Sequence, residues 1–282
     1  MVAIVLALCS SLSYGVSDYL GGLKSKTLPL VTVLMVSHAA ALVAIVSSLL
    51  VGMEEMPDAR YFGYGALAGL AEAIGIAALY RGLAMGKMSI VAAVAAASPI
   101  VPVVVSALTG EVPGPVQWAG IALAVSGVSM LALGSSREDE PEGASRPAVG
   151  IFFGLLTALG LGSFLLAMDE AASESVQWAL ITARVVSTCI FASALVLVRP
   201  QGDPALRDWG AMILIGLLIL AADSLYAVAT TLGVLSVIAV LSSLYPVVTI
   251  LLARFHLGER LTRGQVTGIA VVLAGAAALS VG

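Results

Sequence analysis

The chain has 282 residues, 60% of them hydrophobic and 11% charged, with a mean hydropathy of +1.08. Soluble domains carry about 25% charged residues, so this composition excludes an ordinary soluble fold and makes an all-α polytopic membrane protein the expected class. The formal net charge of −4 sits mostly in the loops and leaves no basic patch for nucleic acid.

Apolar runs long enough for a membrane span follow one another from the first residue. They cover about 2–22, 30–52, 61–84, 88–108, 116–134, 149–169, 176–198, 209–231, 234–256 and 263–281. No Lys or Arg and no cleavage site precedes the first run, which therefore reads as a spanning helix rather than a signal peptide. It carries Ser10, Ser13, Tyr14, Ser17, Asp18 and Gly21, mostly at three- and four-residue spacings on one side of a helix. Such a stripe faces either a wetted cavity or another helix, and the spacing does not choose. Asp18 lies close to Lys24 and reads as interfacial.

His38 stands in the second run, where packing competes with a proton-relay role near neutral pH. In the third run, "GLAEAIGIAALYRG" (69–82) places Glu72 roughly 17 Å from the start of the span at 1.5 Å per residue. Tyr80 follows in the same stretch. Pro99 and Pro102 interrupt the fourth run and Pro246 the ninth, and proline frees a backbone carbonyl and kinks a helix. Arg184 lies deep in the seventh run, with Glu72, Asp223 or Asp169 as candidate partners. Asp223 lies in the eighth run, roughly 12 Å from its far end. Tyr226 is one turn from Asp223, and Tyr245 precedes Pro246; both suit a cavity wall. Trp118, Trp178 and Trp209 near span starts read as interfacial anchors. Cys9 and Cys189 in apolar runs read as small core residues, neither disulfide nor metal ligand.

The stretch "SSREDEPEGASRP" (135–147) is a polar linker that divides the chain near its middle. On either side, "ASPIVPVVVSALTGEVPGPVQWAGIALAVSGVSMLALG" (97–134) aligns with "LYPVVTILLARFHLGERLTRGQVTGIAVVLAGAAALSVG" (244–282). Pro99 matches Pro246, Glu111 matches Glu259, Gly120 and Gly127 match Gly268 and Gly275, and upstream Gly86 and Ser89 match Gly233 and Ser236. Two five-helix repeats follow, 1–134 and 148–282. Because five is odd, the second copy enters the membrane inverted. Lys and Arg support this: with inversion, eleven fall at one face and one, Arg60, at the other, with Arg184 left deep inside a span. The positive-inside rule makes the rich face cytoplasmic and puts both termini on the opposite side. The seven-residue spacing of Gly120/Gly127 and Gly268/Gly275 reads as close helix packing.

The phrases "SVIAVLSSLYPVVTILLARFHLGERLTRGQVTGIAVVLAGAAAL" and, more loosely, "SIVAAVAAASPIVPVVVSALTGE" resemble the drug/metabolite transporter superfamily in its ten-helix EamA type. The resemblance covers nearly the whole chain. It implies an inverted-repeat fold around a central cavity and secondary transport, often export, of small metabolites, amino acids or drugs. Several members of that family carry cytoplasmic termini, whereas the basic residues here place them outside.

The expected function is therefore a secondary transporter in the cell (inner or plasma) membrane, exporting a small cationic or zwitterionic compound by alternating access. Its partners are a small-molecule substrate, a proton as coupling ion, the lipid bilayer and, as a further candidate, a second copy of the chain. Glu72 and Asp223, one from each repeat, are the candidate proton and substrate groups. Arg184, His38, Tyr14, Ser17, Tyr80, Tyr226 and Tyr245 complete the candidate set, with Pro99, Pro102 and Pro246 as kinks. No cofactor or metal is expected. The alternatives are an intramembrane enzyme or a passive channel. The sequence has two histidines, no HExxH and no GxxxxGK[ST] loop, which speaks against enzymatic or direct ATP-driven chemistry.

Overall fold

The structure is a computed structural model that describes residues 2–98, 100–101, 104–105, 114–135, 147–201, 204–232, 241–242, 244–258 and 263–281. These residues form ten α-helices and no strand. They are α1 (Val2–Lys24), α2 (Leu30–Ser47), α3 (Ala59–Met85), α4 (Met88–Ala95), α5 (Pro115–Ser135), α6 (Pro147–Ala172), α7 (Val176–Val198), α8 (Leu206–Leu232), α9 (Tyr245–His256) and α10 (Arg263–Val281). Six of them, α1, α2, α3, α6, α7 and α8, are long and apolar enough to cross a membrane. The all-α, multi-pass class expected from composition is the observed one.

Local chemistry sets several helix ends. The Ser175 hydroxyl accepts the Trp178 backbone N–H at 3.2 Å and caps α7. Arg199 closes the same helix in the left-handed region, and Gly258 does so after α9, with φ of 46° and 65°. Pro246 stands in the first turn of α9, where its missing N–H is no loss. Residues 241–242 ahead of it are also helical and Leu244 is a turn, while most of the preceding run lies outside the described residues. Pro99 and Pro102 lie outside the described residues.

The larger helix interfaces come in pairs. The packing of α3 on α6 is matched by α8 on α1, that of α3 on α7 by α8 on α2, and that of α4 on α6 by α9 on α1. The α2–α7, α4–α9 and α5–α10 contacts are their own counterparts. Exchanging helix n for helix n+5 thus maps this pattern onto itself. Each half is built into the other, and α3 and α8 are the elements that cross over.

Two glycines allow that crossing. A Cβ on Gly69 of α3 would lie 2.9 Å from the Ala183 Cα of α7. A Cβ on Gly216 of α8 would lie 2.8 Å from the Ser37 carbonyl carbon of α2. The two positions are separated by the same offset as Gly86 and Gly233, so one device serves both halves. At the α5–α10 contact, a Cβ on Gly127 would lie 2.9 Å from the Gly268 carbonyl oxygen.

Around these contacts a core of Val33, Leu34, Leu79, Leu83, Met212 and Ile215 is closed off completely or nearly so. Large apolar side chains such as Leu8, Leu12, Leu67, Leu70, Phe152 and Leu159 point outward instead, as lipid-facing residues do. Cys9 and Cys189 are also exposed. They were expected in the core, but helices apolar on all sides give no sequence sign of which side turns inward.

Candidate functional site

Five helices bring ionisable side chains to one point. Arg184 of α7 and His38 of α2 are 0% exposed, Asp223 of α8 1% and Glu72 of α3 4%. The Arg184 Nη2 donates both to Glu72 Oε1 and to Asp223 Oδ2, so one nitrogen joins two carboxylates. The Tyr14 hydroxyl of α1 donates to Asp223 Oδ1. The His38 Nε2 stands 3.9 Å from Glu72 Oε1, and its Nδ1 lies 2.9 Å from the Leu34 carbonyl oxygen.

The backbone holds these groups in place. Gly69, one turn before Glu72, seats α3 against Ala183, the neighbour of Arg184. Gly216 seats α8 against Ser37, the neighbour of His38. The Ser10 hydroxyl donates at 2.8 Å to the carbonyl of Ala222, next to Asp223, and the Thr249 hydroxyl at 3.1 Å to the Gly15 carbonyl next to Tyr14. The Phe191 ring meets the His38 ring edge-on at 4.6 Å between centroids.

With His38 neutral and both carboxyls ionised, the cluster holds one negative charge in excess. An unbalanced charge so far from water is costly, on the order of several kcal/mol. Four buried atoms of the cluster also make no hydrogen bond among the described residues: Glu72 Oε2, His38 Nε2, and Arg184 Nε and Nη1. Buried polar groups in folded chains are normally paired, and ionisable ones inside a membrane span normally face protein or water. Among the described residues, no three His, Cys, Asp or Glu side chains converge as metal ligands.

The partner of Arg184 is thus Glu72 and Asp223 together, and Asp169 is not among its contacts. The Tyr245 ring lies 6.0 Å from the Tyr14 ring, at the edge of the cluster. Ser17 donates its hydroxyl to the Tyr14 carbonyl at 2.8 Å, a local bond that does not reach the cluster. Tyr80 is buried, and its hydroxyl reaches the Ser17 carbonyl at 3.4 Å. Tyr226 packs with Ala3, Ala7 and Ala229 in a separate apolar group, so it does not stand in the cluster as its spacing from Asp223 had suggested. Asp18 is buried rather than interfacial, because α3, α8 and α9 cover α1 and Gly21 lets the Tyr80 ring lie against that helix.

Two polar contacts between the halves escape a reading of the sequence. Lys24, at the end of α1, pairs with Asp208 of α8 at 2.7 Å. At the other end of α2, Glu54 clamps the start of α7. Its carboxylate accepts from the Ser175 hydroxyl and the Gln177 backbone N–H, its carbonyl accepts from Trp178 Nε1 at 3.1 Å, and its own N–H donates to Gln177 Oε1 at 2.9 Å. Gln177 Nε2 donates in turn to the Gly52 carbonyl at 3.0 Å. The first contact joins α1 to α8, and the second joins the segment after α2 to the start of α7.

The sequence profile of the EamA-like transporter family matches residues 1–133 and 148–281. No curated protein sequence matches the chain. Sixteen chains of solved structures resemble it. One, described only as "Crystal structure of protein", covers 98% of this chain and 95% of its own at a TM-score of 0.68 and 17% identity, a likeness of fold alone.

Proposed function

From the premise that this chain belongs to the EamA-like transporter family of multi-pass membrane proteins that move small molecules, we propose that it is a proton-coupled exporter of a cationic or zwitterionic compound. The observation that carries this reading is the charge count of the Glu72–Arg184–Asp223 cluster. Closing a site that holds one excess negative charge is unfavourable, whereas closing it around one proton or one cation is not. The loaded forms can therefore rock between the two faces and the empty form cannot, which is the condition for exchanging substrate against protons.

The moving parts are the two halves, 1–134 and 148–282, as inverted five-helix repeats with ten spans. The paired helix interfaces and the two matched segments of the family profile support that division. The cell membrane is the proposed location. The basic residues place the Lys24–Asp208 end on the cytoplasmic side, with both termini and the Glu54 clamp on the other. On this reading the Lys24–Asp208 pair and the Glu54 contacts act as the two gates. Opening toward the cytoplasm requires Lys24 to leave Asp208, and opening outward requires α7 to leave Glu54.

The test is a screen of amino acids, amines and cationic dyes in proteoliposomes under an imposed pH gradient. One compound class is expected to accumulate against its own gradient, with at least tenfold loss in Glu72→Gln and in Asp223→Asn. Uptake that merely follows the compound's gradient would point to a channel, and coupled uptake unchanged in both variants would remove the site.

The cytoplasmic ion pair yields a milder expectation. It is partly exposed, 24% and 13% for the two side chains, and such pairs contribute about 0.2–1 kcal/mol. Lys24→Gln should therefore raise the reactivity of a cysteine placed beneath it by no more than about fivefold. The exchanged pair Lys24→Asp with Asp208→Lys should restore the original rate. If the exchange fails to restore it, attraction between the two charges is not what holds this end shut.

A further inference from the structure

We propose that the exchangeable proton is held between Glu72 and His38, and that Asp223 anchors the cluster without taking part in the exchange. This rests on the proton-coupled reading above and assigns its ion to particular atoms. The two carboxyl groups differ in what already occupies them. Asp223 has a donor on each oxygen, Tyr14 on Oδ1 and Arg184 on Oδ2. A proton arriving on either oxygen displaces one of those donors. Glu72 accepts from Arg184 on Oε1 alone, and its buried Oε2 has no partner. A proton on Oε2 displaces nothing.

His38 supplies the second half of the site. A carbonyl oxygen can only accept, so the 2.9 Å contact with Leu34 requires the hydrogen on Nδ1 and leaves a lone pair on Nε2. That nitrogen is buried without a partner and faces Glu72 Oε1 at 3.9 Å, beyond hydrogen-bond reach. Two acceptors therefore look at each other with no donor between them. One proton supplies it, once the Glu72 carboxyl turns so that its Oε2–H rather than Oε1 faces Nε2.

The proton can also cross. The O–H bond of Glu72 breaks, the Nε2 lone pair takes the proton, and the products are a carboxylate and an imidazolium. The imidazolium keeps its Nδ1–H on Leu34 and turns its new N–H to Glu72. The cluster is electrically neutral before and after, so the transfer does not change the charge that the closed protein must bury. The charged groups that the helices packed on α2 bring to this pair are Arg184 of α7 and Glu72 of α3, with Asp223 of α8 bonded to the same guanidinium. Tyr14 of α1 reaches Asp223. Phe191 walls the imidazole on one side.

The chain has two histidines, and the second, His256, is exposed on α9. A His256→Gln variant labelled with ¹⁵N-histidine thus gives one imidazole to follow by NMR in lipid nanodiscs. No substrate is needed. The expected spectrum is that of an Nδ1–H tautomer whose Nε2 resonance moves in Glu72→Gln and holds its place in Asp223→Asn. In parallel, infrared difference spectra across a pH titration should show a protonated-carboxyl C=O band that is lost in Glu72→Gln and kept in Asp223→Asn. An Nε2–H tautomer, or a carboxyl band that follows Asp223 instead, overturns the assignment even if coupled transport is found. The expected spectra without coupled transport uphold the proton site and count against the transport reading alone. Glu72→Gln retains an oxygen for Arg184, and a folded state for each variant is checked by its elution as a single species.

Discussion

Replacing Arg184 by glutamine should abolish transport and destabilise the protein by ~3–5 kcal/mol, the usual effect of removing one partner from a buried ion pair. Among the described buried residues it is the only Lys or Arg. Without it, Glu72 on α3 and Asp223 on α8 are left with one negative charge each and no cation between them. Asp223 keeps Tyr14, but Glu72 loses the one donor it has. A lysine should rescue poorly, since a compact ammonium on a flexible stem does not reproduce a planar group fixed between two acids. The control is a triple variant, Glu72→Gln with Arg184→Gln and Asp223→Asn, which removes all three charges together. Thermal unfolding in detergent should show most of the lost stability regained in the triple variant, while transport stays absent. A single Arg184→Gln variant as stable as the parent would mean that the cluster is already wetted and that the charge count has no energetic consequence.

The second large effect lies in the glycines at the crossing helices. In an exposed helix interior, exchanging Gly for Ala is stabilising by about 1 kcal/mol. Gly63 and Gly210, where an added Cβ would meet nothing within 4 Å, should follow that rule. At Gly69 and Gly216 the sign should reverse. The added carbon would meet backbone atoms of Ala183 and of Ser37, which cannot rotate away as a side chain can. Overpacking of this kind costs about 1–3 kcal/mol. The displacement also falls beside Arg184 in one case and His38 in the other. Gly69→Ala and Gly216→Ala should therefore lower the unfolding temperature by similar amounts and reduce transport at least tenfold, and Val should be worse at both sites. Equal behaviour of Gly63→Ala and Gly69→Ala would show that the close approach of α3 to α7 is not required.

The sequence made some of this architecture visible and hid the rest for a physical reason. The first three and the sixth to eighth apolar runs stand as helices long and apolar enough to span a membrane, and the described helices follow the runs in order. Glu72, Asp223 and Arg184 stood out because a charge in an apolar span needs a partner. Which partner Arg184 takes depends on the rotation of α3, α7 and α8 about their axes. That rotation is set by contacts such as Gly69 on Ala183, which no single helix encodes. The same blindness to rotation misplaced Cys9, Cys189 and Tyr226: helices that meet lipid on one side and protein on the other are apolar on both. Asp18 was judged by its distance from Lys24 along the chain, and the cover provided by α3, α8 and α9 is not written in α1. The Glu54 clamp and the Lys24–Asp208 pair involve short polar segments without periodicity, so nothing local marks them.

The contacts at the two ends of the molecule differ in kind. One is a lone pair of opposite charges at the rim, whose attraction weakens as electrolyte rises. The other spends its carboxylate on a hydroxyl and a backbone amide, adds an indole and a glutamine side chain, and has no counter-charge to screen. Brine thus loosens the Lys24–Asp208 pair and leaves the Glu54 contacts largely as they were. On the gating proposed above, the balance between the two openings would follow the saltiness of a single compartment.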